Sequence, residues 1–215
     1  MKKKIKALVL DLDGTLIDSV QDITIAVNHT MKELGYPTKN INFIENAIGN
    51  GAKSLLKACF PKGQRIDNHI YDLFISYYNS NCSNQTELYP GVIDFLDNTI
   101  HIKKAILTNK PIIPTLKIIK SLGIDQFFEL VFGGDSFSYR KPHPIGLEKI
   151  IKAFSSSPHE ALMIGDGPQD IQAANAIGMD SIGIINRIGN KMELLQEKPT
   201  HIVQNFDEIS KLLLD

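Results

Sequence analysis

The uninterrupted apolar run Ala7–Leu10 delivers two carboxylates, Asp11 and Asp13, only two positions apart. Such a run, without polar alternation, reads as a strand buried on both faces, the habit of parallel sheets. Like charges that close repel one another, and burial makes the repulsion worse. A carboxylate directly after a buried strand is costly without a partner. Any fold for this chain must therefore bring compensating groups to the end of its first strand.

Periodicity along the chain supplies the frame. From Ser19 to Leu34 the residues Ile23, Ala26, Val27, Met31 and Leu34 fall at helical spacing, and Ser19 with Asp22 has the pattern of a capping box. Ala52, Leu55, Leu56 and Cys59 form one helical stripe; Ile66, Ile70, Leu73, Phe74 and Tyr77 form another. The stretch from Ile17 to Thr86 is expected to be mostly helical, with no strand, and punctuated by the loop Gly49–Gly51. Beyond it, "KKAILT", "ELVFGG", "ALMIGD", "DSIGII" and "HIVQ" read as strands. Helical segments separate most of them, the first opened by Pro111 and closed at Gly123, the last running from Phe206 to Leu214. Alternating strands and helices predict an α/β fold: a Rossmann-like parallel sheet with helices on both faces. Residues 1–16 and 87–215 would form this core, and residues 17–86 an inserted all-helical domain.

Ligands of open parallel sheets sit outside the carboxyl ends of the strands. The strand ends here carry Asp11 and Asp13, then Thr108, then Lys141 in "RKPHP", then Asp166 and Asp170 in "GDGPQD". Taken singly, Asp170 could be a helix N-cap, Thr108 a cap for the helix at Pro111, and Lys141 a solvated charge. Their joint occurrence points to one crevice. Several carboxylates without His or Cys suit a hard cation such as Mg²⁺. A hydroxyl and an ammonium beside that cation would cradle a phosphoryl group. One carboxylate could then attack phosphorus, and a second could move the proton of the leaving oxygen.

These residues resemble the haloacid dehalogenase-like hydrolases. "DLDGT", "LTNKP", "RKPHP" and "GDGPQD" are similar to that family's four motifs, in the family's order and across essentially the whole chain. The resemblance implies Asp11 as nucleophile and Mg²⁺ ligand, and Asp13 as general acid/base with its carbonyl on the metal. It implies Thr108, Asn109 and Lys141 as phosphoryl-binding groups, and Asp166 and Asp170 as metal-supporting carboxylates. The helical insertion is similar to the family's small cap, which closes over the site. "IGNGAKSLL" and "GGDSFSYRKPHP" look most like phosphoglycolate phosphatases, which hydrolyse 2-phosphoglycolate. Pyrophosphate hydrolysis and phosphosugar mutase or phosphatase activity remain alternatives within the family. A phospho-acceptor signalling module is a distant one. Gly167 stands where the family more often has Ser or Thr, and Pro168 after it has no N–H to donate. Arg140 competes with its neighbour Lys141 for the phosphoryl role. Lys141 is preferred, because Pro142 after it favours an extended backbone.

Composition narrows the partners. With 23 Lys/Arg against 24 Asp/Glu there is no electrostatic footprint for nucleic acid or an anionic membrane. No apolar run approaches the ~20 residues of a transmembrane helix. Two cysteines without metal-type spacing fit reduced thiols, and no signal peptide is evident, so a cytoplasmic setting is expected. The expected partner is a small phosphorylated metabolite, met by a monomer or homodimer. Six Lys/Arg and six Asp/Glu between Ile17 and Thr86 give the insertion no overall field. Within it Gly49, Asn50, Gly51 and Lys53 are the candidates for contacting the leaving group. Equally, the glycines could merely join two helices, with Lys53 solvated.

Overall fold

The computed structural model describes residues 5–186, 188 and 191–214. Strand β1 (Ala7–Leu10) is followed by β2 (Ile17–Asp18) and by helices α1 (Val20–Glu33), α2 (Ile41–Glu45), α3 (Ala52–Cys59) and α4 (Asn68–Asn81). The chain returns through β3 (Glu87–Leu88), α5 (Val92–Asn98), β4 (Lys103–Leu107), α6 (Ile112–Ser121) and β5 (Leu130–Phe132). It ends with α7 (Ile145–Ala153), β6 (Ala161–Gly165), α8 (Pro168–Asn175), β7 (Asp180–Ile184), α9 (Lys191–Gln196), β8 (His201–Val203) and α10 (Phe206–Leu214).

Six strands form one sheet in the order β5-β4-β1-β6-β7-β8, and every neighbouring pair is parallel. Successive residues of β1 face opposite layers, as the twofold period of a strand requires. Ala7 and Val9 join a core with Leu147 and Ile150 of α7 and Ala173 and Ala174 of α8. Leu8 and Leu10 join a larger core with Val92, Phe95, Ile118 and Phe206, from α5, α6 and α10. The expected α/β architecture is therefore present, with both faces of the sheet covered. Helices α5 and α9 are additions to the sequence expectation. Both are too short to stand out by periodicity, although α5 buries Val92, Phe95 and Leu96 at helical spacing.

The topology reverses at β1. From this central strand the chain builds β4 and β5 on one side, then crosses to β6, β7 and β8 on the other. Such a reversal opens a crevice at the carboxyl end of the central strand. That end is where Asp11 lies.

Helices α1–α4 lie between β2 and β3, and no strand of the six-stranded sheet interrupts them. The expectation of no strand between Ile17 and Thr86 needs correction. Ile17–Asp18 pair antiparallel with Glu87–Leu88, so the chain enters and leaves the helical segment through adjacent strands. A strand of two residues has no period to read in the sequence. The capping box is not formed either. Ser19 Oγ donates to Asp13 Oδ1 (2.5 Å), and the Val20 N–H is taken by Asp18 Oδ1 (3.1 Å). Asp22 is buried and accepts from the Gln85 N–H (2.9 Å), the Thr86 N–H (3.0 Å) and the Thr86 hydroxyl (2.8 Å). It ties the start of α1 to the segment that leads back into β3.

Asp22→Ala would strand these donors at a buried position. We expect a loss of about 3 kcal/mol in unfolding free energy, read by urea titration. Asp22→Asn, which keeps one acceptor oxygen, should lose less.

Candidate active site

Four of the sequence-selected groups meet at the reversal point. Lys141 Nζ lies 2.9 Å from Asp11 Oδ1 and 2.6 Å from Asp170 Oδ1, and all three side chains are buried. The ammonium also donates to the Leu107 carbonyl at the end of β4 (2.5 Å). Asp11, Asp166 and Asp170 each offer an oxygen within 4.8 Å of the others. Asp166 follows β6 and accepts from Thr15 Oγ1 (2.8 Å). Asp170 stands in the first turn of α8 and accepts from the Gly167 N–H (3.1 Å). The simpler reading of Asp170 as the helix N-cap needs correction: Gly167 is the N-cap, and Asp170, three residues on, accepts from its N–H and is a member of the cluster. The Lys141–Pro142 peptide is cis.

The backbone is cut to fit these carboxylates. Gly14 has φ of +83°, and a Cβ there would lie 2.1 Å from Asp166 Oδ2. Asn186, beyond β7, donates to the Gly14 carbonyl (2.9 Å) and holds this turn. A Cβ on Gly165, the last residue of β6, would lie 2.2 Å from Asp170 Oδ2. Both glycines leave their space to an aspartate.

Crowding sets the electrostatics. Burial pushes the Asp166 carboxyl well above the usual range, and Asp11 and Asp170 add to the shift. Burial raises Asp170 to about 7 even though Lys141 opposes it. Burial alone would lower Lys141, but Asp11 and Asp170 outweigh it and hold the ammonium above its ordinary value. Three carboxylates against one ammonium lack positive charge if all ionise. The donor set is all oxygen, which suits a hard divalent cation.

Thr108 is buried beside the cluster, its N–H bonded to Phe132 and its Oγ1 accepting from the Lys110 N–H (3.2 Å). Asn109 joins three segments: its Nδ2 donates to the Gly49 carbonyl (2.9 Å) and the Lys141 carbonyl (3.0 Å). A cavity opens from Asp11 and Asp13 between the sheet and the inserted helices. Ile23, Ile48, Gly49, Gly51, Ala52, Leu55, Phe74 and Tyr78 line it from one side, and Thr108–Pro111 from the other. Gly49 and Gly51 thus reach the site. Asn50 lines a neighbouring open cleft with Ser54, Tyr139, Arg140 and His143. Lys53 is exposed, with its ammonium 5.2 Å from the centre of the Tyr71 ring and outside the cavity lining. Arg140 is also exposed, lines that neighbouring cleft and donates to Ser54 Oγ (3.3 Å).

Several site groups were not among the sequence candidates. Asp13 is held by Ser19 and by Lys110, whose ammonium lies 2.8 Å from Oδ1 and 3.1 Å from Oδ2. Tyr78 Oη lies 2.5 Å from the same ammonium. Lys110 could have been found, since it follows β4 within "LTNKP". Tyr78 carries no such signal, because only folding brings α4 against the end of β4.

The close packing at Gly165 gives a direct test. In Gly165→Ala the methyl group and the Asp170 carboxylate compete for one position, and the carboxylate must move. We expect divalent-cation affinity to fall at least about tenfold, measured by isothermal titration calorimetry, with the fold retained by circular dichroism.

Residues 8–184 match the haloacid dehalogenase-like hydrolase family. The phosphoglycolate phosphatase of Colwellia psychrerythraea is 34% identical over 95% of this chain and 95% of its own. That of Psychrobacter arcticus is 32% identical over 96% of this chain and 95% of its own. The crystal structure of a predicted phosphoglycolate phosphatase from Haemophilus somnus has a TM-score of 0.90 at 30% identity, covering 99% of both chains. A haloacid dehalogenase-like family hydrolase from Streptococcus pneumoniae has a TM-score of 0.87 at 28% identity, over 97% of this chain and 98% of its own. With its family match spanning most of the sheet and these relatives sharing nearly its full length, the chain belongs to the haloacid dehalogenase-like hydrolases.

Proposed function

We propose that the protein is a Mg²⁺-dependent phosphatase that hydrolyses 2-phosphoglycolate through an aspartyl-phosphate on Asp11. The observation that carries this reading is the convergence at the sheet reversal of Asp11, Asp166 and Asp170, with oxygens within 4.8 Å of one another, and of Lys141, which is ion-paired to Asp11 and Asp170. The names of the full-length relatives support the choice of substrate.

In this reading Asp11, the Asp13 carbonyl, Asp166 and Asp170 hold Mg²⁺, which when bound supplies positive charge to the carboxylates and the phosphoryl oxygens. Thr108, Asn109 and Lys141 bind the transferring phosphoryl group. An Asp11 oxygen forms a bond to phosphorus as the ester P–O bond breaks, and Asp13 gives its proton to the departing oxygen. Asp13 then takes a proton from water, whose oxygen bonds to phosphorus and releases phosphate, restoring the Asp11 carboxylate. Ser19 and Lys110 keep the Asp13 carboxylate aimed at the cavity. The helical segment 17–86 acts as a cap that excludes water while the aspartyl-phosphate forms. No helix among the described residues is long and apolar enough to cross a membrane. Cys59 and Cys82 are buried free thiols, in keeping with a cytoplasmic enzyme.

Asp11→Asn should lower Mg²⁺-dependent phosphate release from 2-phosphoglycolate by at least about three orders of magnitude while the protein stays folded. Retention of most activity would remove Asp11 as the nucleophile. A screen that includes pyrophosphate and hexose phosphates tests the substrate choice, since faster turnover of either would displace 2-phosphoglycolate.

Metal binding should also depend on pH. Without a cation, Asp170 has a folded pKa of about 7 against a reference value of 3.8. The folded state then keeps a proton that the unfolded state has lost, so this group's contribution to stability falls as pH rises through that window. With Mg²⁺ bound, Asp170 would lose that proton and the cation would supply the compensating charge. The Tm increase caused by Mg²⁺ should therefore be larger at pH 8 than at pH 5.5 in differential scanning fluorimetry.

A further inference from the structure

We propose that Lys110 and Tyr78 form a subsite for a carboxylate on the leaving group, so that this pair selects the substrate. The inference rests on the phosphatase reading above and deepens it. Lys110 is the one cationic side chain among the described residues lining the cavity beside Asp11. Its stem starts at the carboxyl end of β4, and its ammonium is buried at the wall that faces the inserted helices. Tyr78 comes from α4 and is likewise buried. An ammonium has only protons to give, so the Tyr78 oxygen accepts from Lys110. The Tyr78 proton has no acceptor among the described residues. A buried hydroxyl donor without an acceptor is costly, and a ligand oxygen would satisfy it.

The remaining wall is apolar, made by Ile23, Ile48, Leu55 and Phe74. The cavity, of about 40 Å³, favours a short leaving group over a sugar ring. One ammonium and one phenolic proton match the two oxygens of a carboxylate. A second phosphate would bring more charge than a single ammonium balances. Asp13 does not depend on Lys110 alone, because Ser19 Oγ also donates to it at 2.5 Å. The flexible lysine stem can therefore share its ammonium between Asp13 and a ligand. Lys53, the sequence candidate for this task, points instead to Tyr71.

The test compares 2-phosphoglycolate with 2-hydroxyethyl phosphate, which has the same length and no carboxylate. Wild-type kcat/KM should favour 2-phosphoglycolate by about 10- to 100-fold, the range of a charge-assisted hydrogen bond. Lys110→Met should lower both values through Asp13 but remove most of the preference. Tyr78→Phe deletes one proton donor without changing the packing volume. It should cut the preference about three- to tenfold and keeps the comparison available if Lys110→Met does not fold. Product inhibition supplies a second readout: both variants should weaken inhibition by glycolate and leave inhibition by inorganic phosphate unchanged. If both variants keep the wild-type ratio between the two substrates, the subsite is overturned. A wild type that hydrolyses the two substrates equally well overturns the subsite alone. A wild type that releases phosphate neither from these two nor from any other monoester overturns the phosphatase reading and the subsite with it.

Discussion

The structure depends on the packing of three buried carboxylates around one ammonium. Asp11 and Asp166 converge from the ends of the adjacent parallel strands β1 and β6, Asp170 from the first turn of α8, and Lys141 reaches in from the loop after β5 to meet two of them. A cluster of this kind is destabilising by itself, since desolvation and mutual repulsion both disfavour the ionised forms. It persists because the rest of the fold over-determines it. Gly14 and Gly165 leave room for the carboxylates, Thr15 and the Gly167 N–H donate to them, and the central sheet fixes the strand ends. The uncompensated negative charge and the all-oxygen donor set suit a hard divalent cation.

A second charged pair is kept apart from the first. Asp13 is directed to Lys110 and Ser19, whereas Asp11 is directed to Lys141. Two aspartates separated by one residue thus face different partners, because the chain leaves the strand and turns at Leu12–Leu16; in a continued strand, residues two apart would share one face. Separate surroundings allow separate roles for the two groups. The same arrangement couples the inserted helices to the sheet. Tyr78 of α4 meets Lys110, the Gly49 carbonyl meets Asn109, and Asp22 of α1 holds the segment that returns to β3. A change in the position of the helices would therefore be felt directly at Asp13.

Much of the architecture was legible in the sequence for local reasons. Long apolar runs and helical stripes identified β1, β4, β6, α1, α4 and α6, because periodicity reports burial within a single element. The two-residue strands β2 and β3 were not legible. The β2–β3 ribbon joins residues about seventy positions apart in the chain, and neither partner carries a pattern of its own. The Ser19–Asp22 pattern is a local rule that tertiary partners overrode. Asp22 found backbone donors at Gln85 and Thr86, and Ser19 found Asp13.

For the site, the sequence by itself determined the cast of the sheet side: Asp11, Thr108 and Asp166 directly follow strands, Asp13 stands two positions after Asp11, Asp170 opens the helix after β6, Lys141 lies in the loop after β5, and the family resemblance adds Asn109. Tertiary structure alone decided which carboxylate meets which cation, and which face of the insertion looks into the crevice. Lys53 and Tyr78 are both on inserted helices, yet only Tyr78 reaches the cavity. The reason is physical. A strand end is located by its own hydrogen-bonded register, whereas the reach of a side chain across a cavity depends on how segments distant in the chain pack together.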